Sequence, residues 1–186
     1  GCGGVARGVR VAVNVSTIQL RDPCFVDVVR SALEEAGVEP GQLVLEVTES
    51  VFVRPDDPAV QSIATLAEHG GELALDDFGS GYSSLGYLRH LPVDVLKIDA
   101  SFVINMASSP ADAMIVRSTI DLARNLGLKV VAEGIEDPAV YELLRDLGCD
   151  LGQGYLIGRP VAPDDLDLPG LAAAGRGPRA VPVTGR

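Results

Sequence analysis

The chain has 186 residues, 47% hydrophobic and 22% charged, with a formal net charge of −11. That length suits one hydrophobic core and not two ordinary domains with linkers, and the composition is globular, not disordered. No apolar run approaches the roughly 20 residues of a membrane span, GCGGVARGVR lacks a secretory apolar region, and the acidic balance opposes non-specific binding to nucleic-acid backbone.

Taken in chain order, residues 1–10 read as a linker. Val11–Val15 is the first short β-branched run, and Leu43–Val47, Leu73–Leu75, Val95–Ile98, Val130–Ala132 and a weaker Leu151–Gly154 follow as buried parallel strands. Between them lie amphipathic stretches at Phe25–Ala36, Ala59–His69, Ser84–Leu91, Ala111–Leu126 and Ala139–Leu147. Gly37, Gly127 and Gly148 follow their helices, and Pro58 and Pro138 stand in first turns. This alternation predicts βα units on a parallel sheet. Cys2, Cys24 and Cys149 are odd in number and lack metal-type spacing, so they read as buried or free thiols of a reducing compartment. His69 and His90 read as surface helix ends. From Gly170 onward the Ala/Gly/Pro/Arg-rich segment reads as a disordered tail. No acid follows Asp167, while Arg176, Arg179 and Arg186 do, which leaves −14 on the body of the chain.

The strand ends carry the chemistry. In order they present Asn14, Glu46, Asp76 with Asp77, Lys97 with Asp99, Glu133, and Gln153. In a (β/α) barrel such ends converge on one face, where barrel enzymes do their chemistry. A doubly wound sheet would also bind ligands at strand ends, but it usually carries a glycine-rich loop after its first strand, and VNVSTIQL has no glycine. The fold class predicted is α/β, an incomplete TIM-like (β/α) barrel with about six of eight strands. Asn14, Glu46, Asp76 and Asp77 offer only oxygen donors, which suits Mg²⁺ or Mn²⁺ and not zinc. Adjacent Asp76 and Asp77 could serve two ions, as in two-metal phosphodiester hydrolysis. Lys97 would orient the attacking water or neutralise phosphate charge, or else form an ion pair with Asp99 or Glu133. Glu133 would be a further ligand or general base, and Gln153 a hydrogen-bonding group. Gly79 and Gly81 allow a tight, movable loop beside Asp77.

VNVSTIQL, LEVTES, LDDFGSGYSSLGYLRHLPVDVLKIDASFV, VVAEGIED and LGCDLGQGYLIGRP resemble the successive motifs of the EAL domain, from about Val11 to Pro160. That family comprises bacterial phosphodiesterases that linearise cyclic di-GMP to pGpG on a modified TIM barrel with one antiparallel strand. The resemblance implies Asn14, Glu46 and Asp76 as metal ligands and Asp77 at a second metal. It implies Lys97 on the catalytic water, Glu133 completing the metal site, and Gln153 with Asp99 lining it. Glu49 would hold the glycine-rich loop of Gly79 and Gly81, and the loop and helix after Asp77 resemble the region through which the family dimerises. A partial EAL domain is therefore expected over residues 11–169, cytoplasmic, with cyclic di-GMP as ligand and no membrane contact from this segment.

The family's signature Glu-Ala-Leu and a substrate-binding arginine belong upstream of VNVS, and two strands with them. The resemblance thus implies open strand edges at Val11–Val15 and near Leu151. A non-catalytic EAL-like module that binds cyclic di-GMP or dimerises is the alternative reading.

Overall fold

The computed structural model describes residues 10–49, 51, 56–79, 88, 91–162, 165 and 181–182. The chain divides into two units, Gly1–Asp76 with Gly81–Val95, and Asp77–Ser80 with Leu96–Arg186.

In the first unit, β1 (Val11–Asn14), β2 (Leu43–Thr48) and β3 (Glu72–Phe78, in this unit through Asp76) run parallel. The register sets Asn14 opposite Glu46, Glu46 opposite Ala74, and Thr48 opposite Asp76. β3 is longer than its apolar centre predicts, because pairing with β2 continues through the first aspartate. Connecting helices are α1 (Thr17–Leu20), α2 (Phe25–Ala36) and α3 (Pro58–Glu68). Sequence periodicity does not reveal α1, which has only four residues; Ser16 and Gln19 close it with a reciprocal capping box. Asp57 caps α3 through the Ala59 N–H at 3.0 Å, and its buried carboxylate also takes Arg21 at 2.6 Å. Leu20, Leu45, Val47, Ile63, Leu73 and Leu75 form the core. α2 buries none of its residues, and a cleft of about 460 Å³ opens between its Val26, Val29 and Leu33 face and Leu43, Leu45 and Leu66. β1 is exposed along its length, as the expected open edge requires.

In the second unit, β4 (Val95–Ile98, here from Leu96) is buried at every position. It is followed by α4 (Ala100–Asn105), α5 (Pro110–Leu126), β5 (Lys129–Ala132), α6 (Pro138–Leu147), β6 (Leu151–Gly152) and β7 (Val181–Pro182). β5 and β6 are parallel, and the Glu133 N–H donates to Ile98 O at 3.3 Å, tying the end of β5 to β4. β7 pairs antiparallel with β6, so the edge expected open near Leu151 is covered in the structure. Those two residues fall in the segment read as a disordered tail; pairing with a distant strand supplies order that local composition does not signal. Leu96, Ile98, Val103, Val116, Ile120, Ile135 and Leu144 are buried in the core of this unit, and so is Cys149.

One anchoring device recurs. Asp94 precedes β4 and accepts the Leu73 N–H at 2.9 Å, and Asp150 precedes β6 and accepts the Val130 N–H at 2.9 Å. Each aspartate accepts the N–H of the second residue of the preceding strand. The expected helix Ser84–Leu91 lies mostly outside the described residues. No helix among the described residues is long and apolar enough to cross a membrane.

Candidate active site

Two sets of the expected residues are held in place, one in each unit. In the first, Asn14 ends β1 level with Glu46, and the neighbouring Val15 N–H donates to Glu46 O at 2.9 Å. Strand alternation puts Glu46 on the face opposite buried Leu45 and Val47, which leaves its carboxylate half-buried. Asp76 is half-buried in register with Thr48, and Glu49 is half-buried just beyond β2.

In the second unit the groups meet directly. Asp77 adopts φ +55°, the one positive φ of a non-glycine residue among those described. Aspartate tolerates the left-handed region because its short side chain bonds locally. Gly79 follows at φ +98°, and a Cβ there would stand 3.2 Å from Phe102 Cε2, so the turn lies close against α4. Lys97 is 4% exposed, and its Nζ sits 2.6 Å from Glu133 Oε1. Of the partners the sequence leaves open for Lys97, the structure pairs it with Glu133. Carboxylate oxygens of Asp77 and Glu133 come within 4.8 Å of each other, close enough for a shared cation.

Asp99 caps α4. Its Oδ1 accepts the Ser101 N–H at 2.7 Å and the Ser101 hydroxyl, and the Asp77 side chain lies beside it. The Ser101 hydroxyl, opposed by partial burial and aided by the Ser101 amide and Asp77, holds the Asp99 carboxyl below the usual carboxylate range. Gln153 is fixed through its backbone, donating to Ala132 O at 2.8 Å and accepting from the Ile135 N–H at 3.0 Å. Gly81 lies outside the described residues, as does most of the loop and helix expected to dimerise. His69 sits exposed at the end of α3; Cys24 is exposed and Cys149 buried, both as free thiols.

A buried ammonium and the carboxylate oxygens near it thus lie on segments that carry the DDFG and KID motifs. The EAL domain family model matches residues 3–160. The chain belongs to the EAL domain family. It is 47% identical over 152 residues to the cyclic di-GMP phosphodiesterase NbdA of Pseudomonas aeruginosa, covering 82% of this chain and 19% of that protein. The solved PaMucR phosphodiesterase, a c-di-GMP complex, aligns at a TM-score of 0.79 and 44% identity over 83% of this chain and 63% of that one. Klebsiella pneumoniae BlrP1, in a manganese/cy-diGMP complex, aligns at 0.75 and 35% identity over 81% of this chain and 39% of that one. The EAL chain spans 18% to 29% of the length of the curated relatives it matches. Its α/β class, with parallel strands linked by helices, is as the sequence predicts.

What the sequence reading of this EAL domain misses is α4 and Ser101. The signal is present as Asp99-Ala100-Ser101, an acidic N-cap with a hydroxyl two residues on.

Proposed function

We propose that this EAL chain carries catalytic groups of a metal-dependent phosphodiesterase that opens cyclic di-GMP to linear pGpG. The observation behind this reading is the Lys97–Glu133 pair, a buried ammonium 2.6 Å from a half-buried carboxylate with the Asp77 carboxylate within 4.8 Å of Glu133. The cyclic di-GMP complexes of PaMucR and BlrP1, the latter with manganese, support the same ligand chemistry here.

Asn14, Glu46, Asp76, Asp77 and Glu133 offer only oxygen, and Asp77 and Glu133 are spaced for a shared ion, so the donor set fits Mg²⁺ or Mn²⁺. In this reading Asn14, Glu46 and Asp76 would hold one ion, Asp77 would serve a second, and Glu133 would complete the set. Such ions, when bound, would polarise the phosphoryl group and offset the negative field that the acidic chain sets against a phosphodiester.

The chain's own groups do the rest. Glu133 fixes Lys97, whose N–H donors then face the attacking water or a phosphoryl oxygen. Glu133 takes the water proton as the water oxygen bonds to phosphorus. The bond from phosphorus to the ribose 3′ oxygen breaks, and that oxygen leaves with a proton from solvent. Gln153 and Asp99 line the site, and Glu49 steadies the turn of Gly79 and Gly81. Pairing of two chains through the loop and helix after Asp77 belongs to the same reading.

The test is chromatographic: cyclic di-GMP and Mn²⁺ are incubated with the chain, and pGpG is measured. Product should vanish with chelator and fall at least about 100-fold in Glu133→Gln, the loss typical of a removed general base. A Glu133→Gln variant at full rate overturns the role of Glu133. Cyclic di-GMP bound but never hydrolysed, with metal present, leaves a non-catalytic module.

A further inference from the structure

The cleft under α2, in the first unit, has the dimensions of a ligand site. Its volume of about 460 Å³ falls within the roughly 300–1,000 Å³ of small-molecule pockets. Its walls are apolar: α2, which buries none of its residues, lines it with Val29 and Leu33, α3 with Leu66, and β2 with Leu43. Leu43 is in register with Val11 at the start of β1, whereas Asn14 ends that strand.

The mouth of the cleft is negative. Gly37 and His69, the C-caps of α2 and α3, both line it, so two helix C-termini border it with the partial negative charge of their last carbonyls. Neither helix has a basic residue in its last turn, while α5 and α6 of the second unit carry Arg124 and Arg145 there. Glu34 and Glu39 add two exposed carboxylates. Arg30 also lines the cleft, but its guanidinium is paired with Asp27 at 2.8 Å. His69 Nδ1 lies 2.6 Å from Thr65 O; a carbonyl only accepts, so Nδ1 carries the proton and the uncharged ring keeps Nε2 as an acceptor. Apolar walls under a mouth of acceptors and negative charge select a ligand with an apolar body and a cationic head.

We infer that this cleft binds small organic cations, an ammonium or guanidinium group on an aliphatic or aromatic body. The inference is independent of the phosphodiesterase reading.

Isothermal titration calorimetry of the 186-residue chain at pH 8 compares 4-phenylbutylammonium with 5-phenylpentanoate, which share a body and differ in charge. The ammonium should bind with a Kd of about 1 mM or below, as befits a ligand of about eleven non-hydrogen atoms. The carboxylate should bind at least about 10-fold more weakly. Glu34→Gln combined with Glu39→Gln should weaken the ammonium about 3- to 10-fold, the scale of exposed ion pairs, and should not weaken the carboxylate. Val29→Trp fills the cleft and should abolish both complexes, with urea midpoints showing that each variant is folded. The glutamine changes touch only exposed side chains, so they decide the matter even where tryptophan disturbs α2. A carboxylate that binds as tightly as the ammonium, or a double glutamine variant that binds like the parent, overturns the cation preference and the inference with it. Binding unchanged in Val29→Trp, or no saturable binding to the parent, overturns the cleft as the site.

Discussion

Replacing Lys97 by methionine tests whether the Lys97–Glu133 pair holds the site as a unit. Methionine keeps the length of the buried stem and removes the charge. At 2.6 Å the two charges attract by about 6 kcal/mol at an effective dielectric near 20, against a desolvation penalty of several kcal/mol for an ammonium only 4% exposed. The net worth of the intact pair is therefore small, but breaking it is not. Lys97→Met removes the cation beside a Glu133 side chain that is 19% exposed and within 4.8 Å of Asp77, which should cost about 3–5 kcal/mol. Glu133→Gln keeps an oxygen acceptor for Nζ and should cost about 2–3 kcal/mol. The double variant should be less destabilised than the sum by at least about 2 kcal/mol, because neither charge is left behind. Urea unfolding followed by circular dichroism, with chelator present so that no cation substitutes for Lys97, gives all four stabilities. Additivity within about 0.5 kcal/mol, or a Lys97→Met loss under about 1 kcal/mol, refutes the reasoning.

Burial pushes the Cys149 thiol up to about 12, with the Leu151 carbonyl 3.3 Å from its sulfur. A thiol whose folded value lies above its unfolded value gives stability that is complete below about pH 8.5 and lost as pH rises toward 12, by at most about 1.4 kcal/mol per pH unit. Urea midpoints should therefore fall between pH 9 and 11 more steeply for the parent than for Cys149→Ala, and equal slopes would contradict the burial argument. At pH 8, iodoacetamide should label exposed Cys24 in the folded chain and spare Cys149, as peptide mapping would reveal. Gly134→Ala combines a positive φ with a Cβ 2.7 Å from Ala100, and should cost about 2–3 kcal/mol; an unchanged melting temperature would refute the close packing of α4 on that turn.

How much of this could be read from the chain depends on whether the signal is local. The short apolar runs stand beside polar residues, and all six expected strands match observed ones to within three residues at either end. Helices with a full apolar face, such as Phe25–Ala36, emerge at the expected bounds. α1 and α4 have four and six residues, too few for periodicity, and only their caps announce them. β7 has two residues and is made by a partner about 30 positions away, so no window of sequence contains it. Nothing local to Asp94 or Asp150 announces the backbone N–H that each accepts from a residue about 20 positions earlier. In the site, the residue types were legible because each ends an apolar run. The choice of Glu133 as partner of Lys97 was not, since it joins strands 36 positions apart.

The Asp76-Asp77 pair shows how far residue type and geometry can part. Side chains alternate along a strand, so neighbours in regular β structure look to opposite faces and cannot serve one site. Asp76 obeys that rule, paired in register with Thr48. Asp77 does not: at φ +55° it leaves the extended region, and its carboxyl lies beside Asp99 and comes within 4.8 Å of Glu133. Aspartate, asparagine and glycine adopt that backbone at little cost, whereas alanine there adds about 1–2 kcal/mol of strain to the loss of the carboxylate. A large effect of Asp77→Ala would therefore mix backbone and ligand contributions. Asp77→Asn keeps the turn and changes only the charge, so what it removes belongs to the carboxylate. The same logic makes the second aspartate of the pair a constraint on the turn, which Gly79 continues at φ +98°.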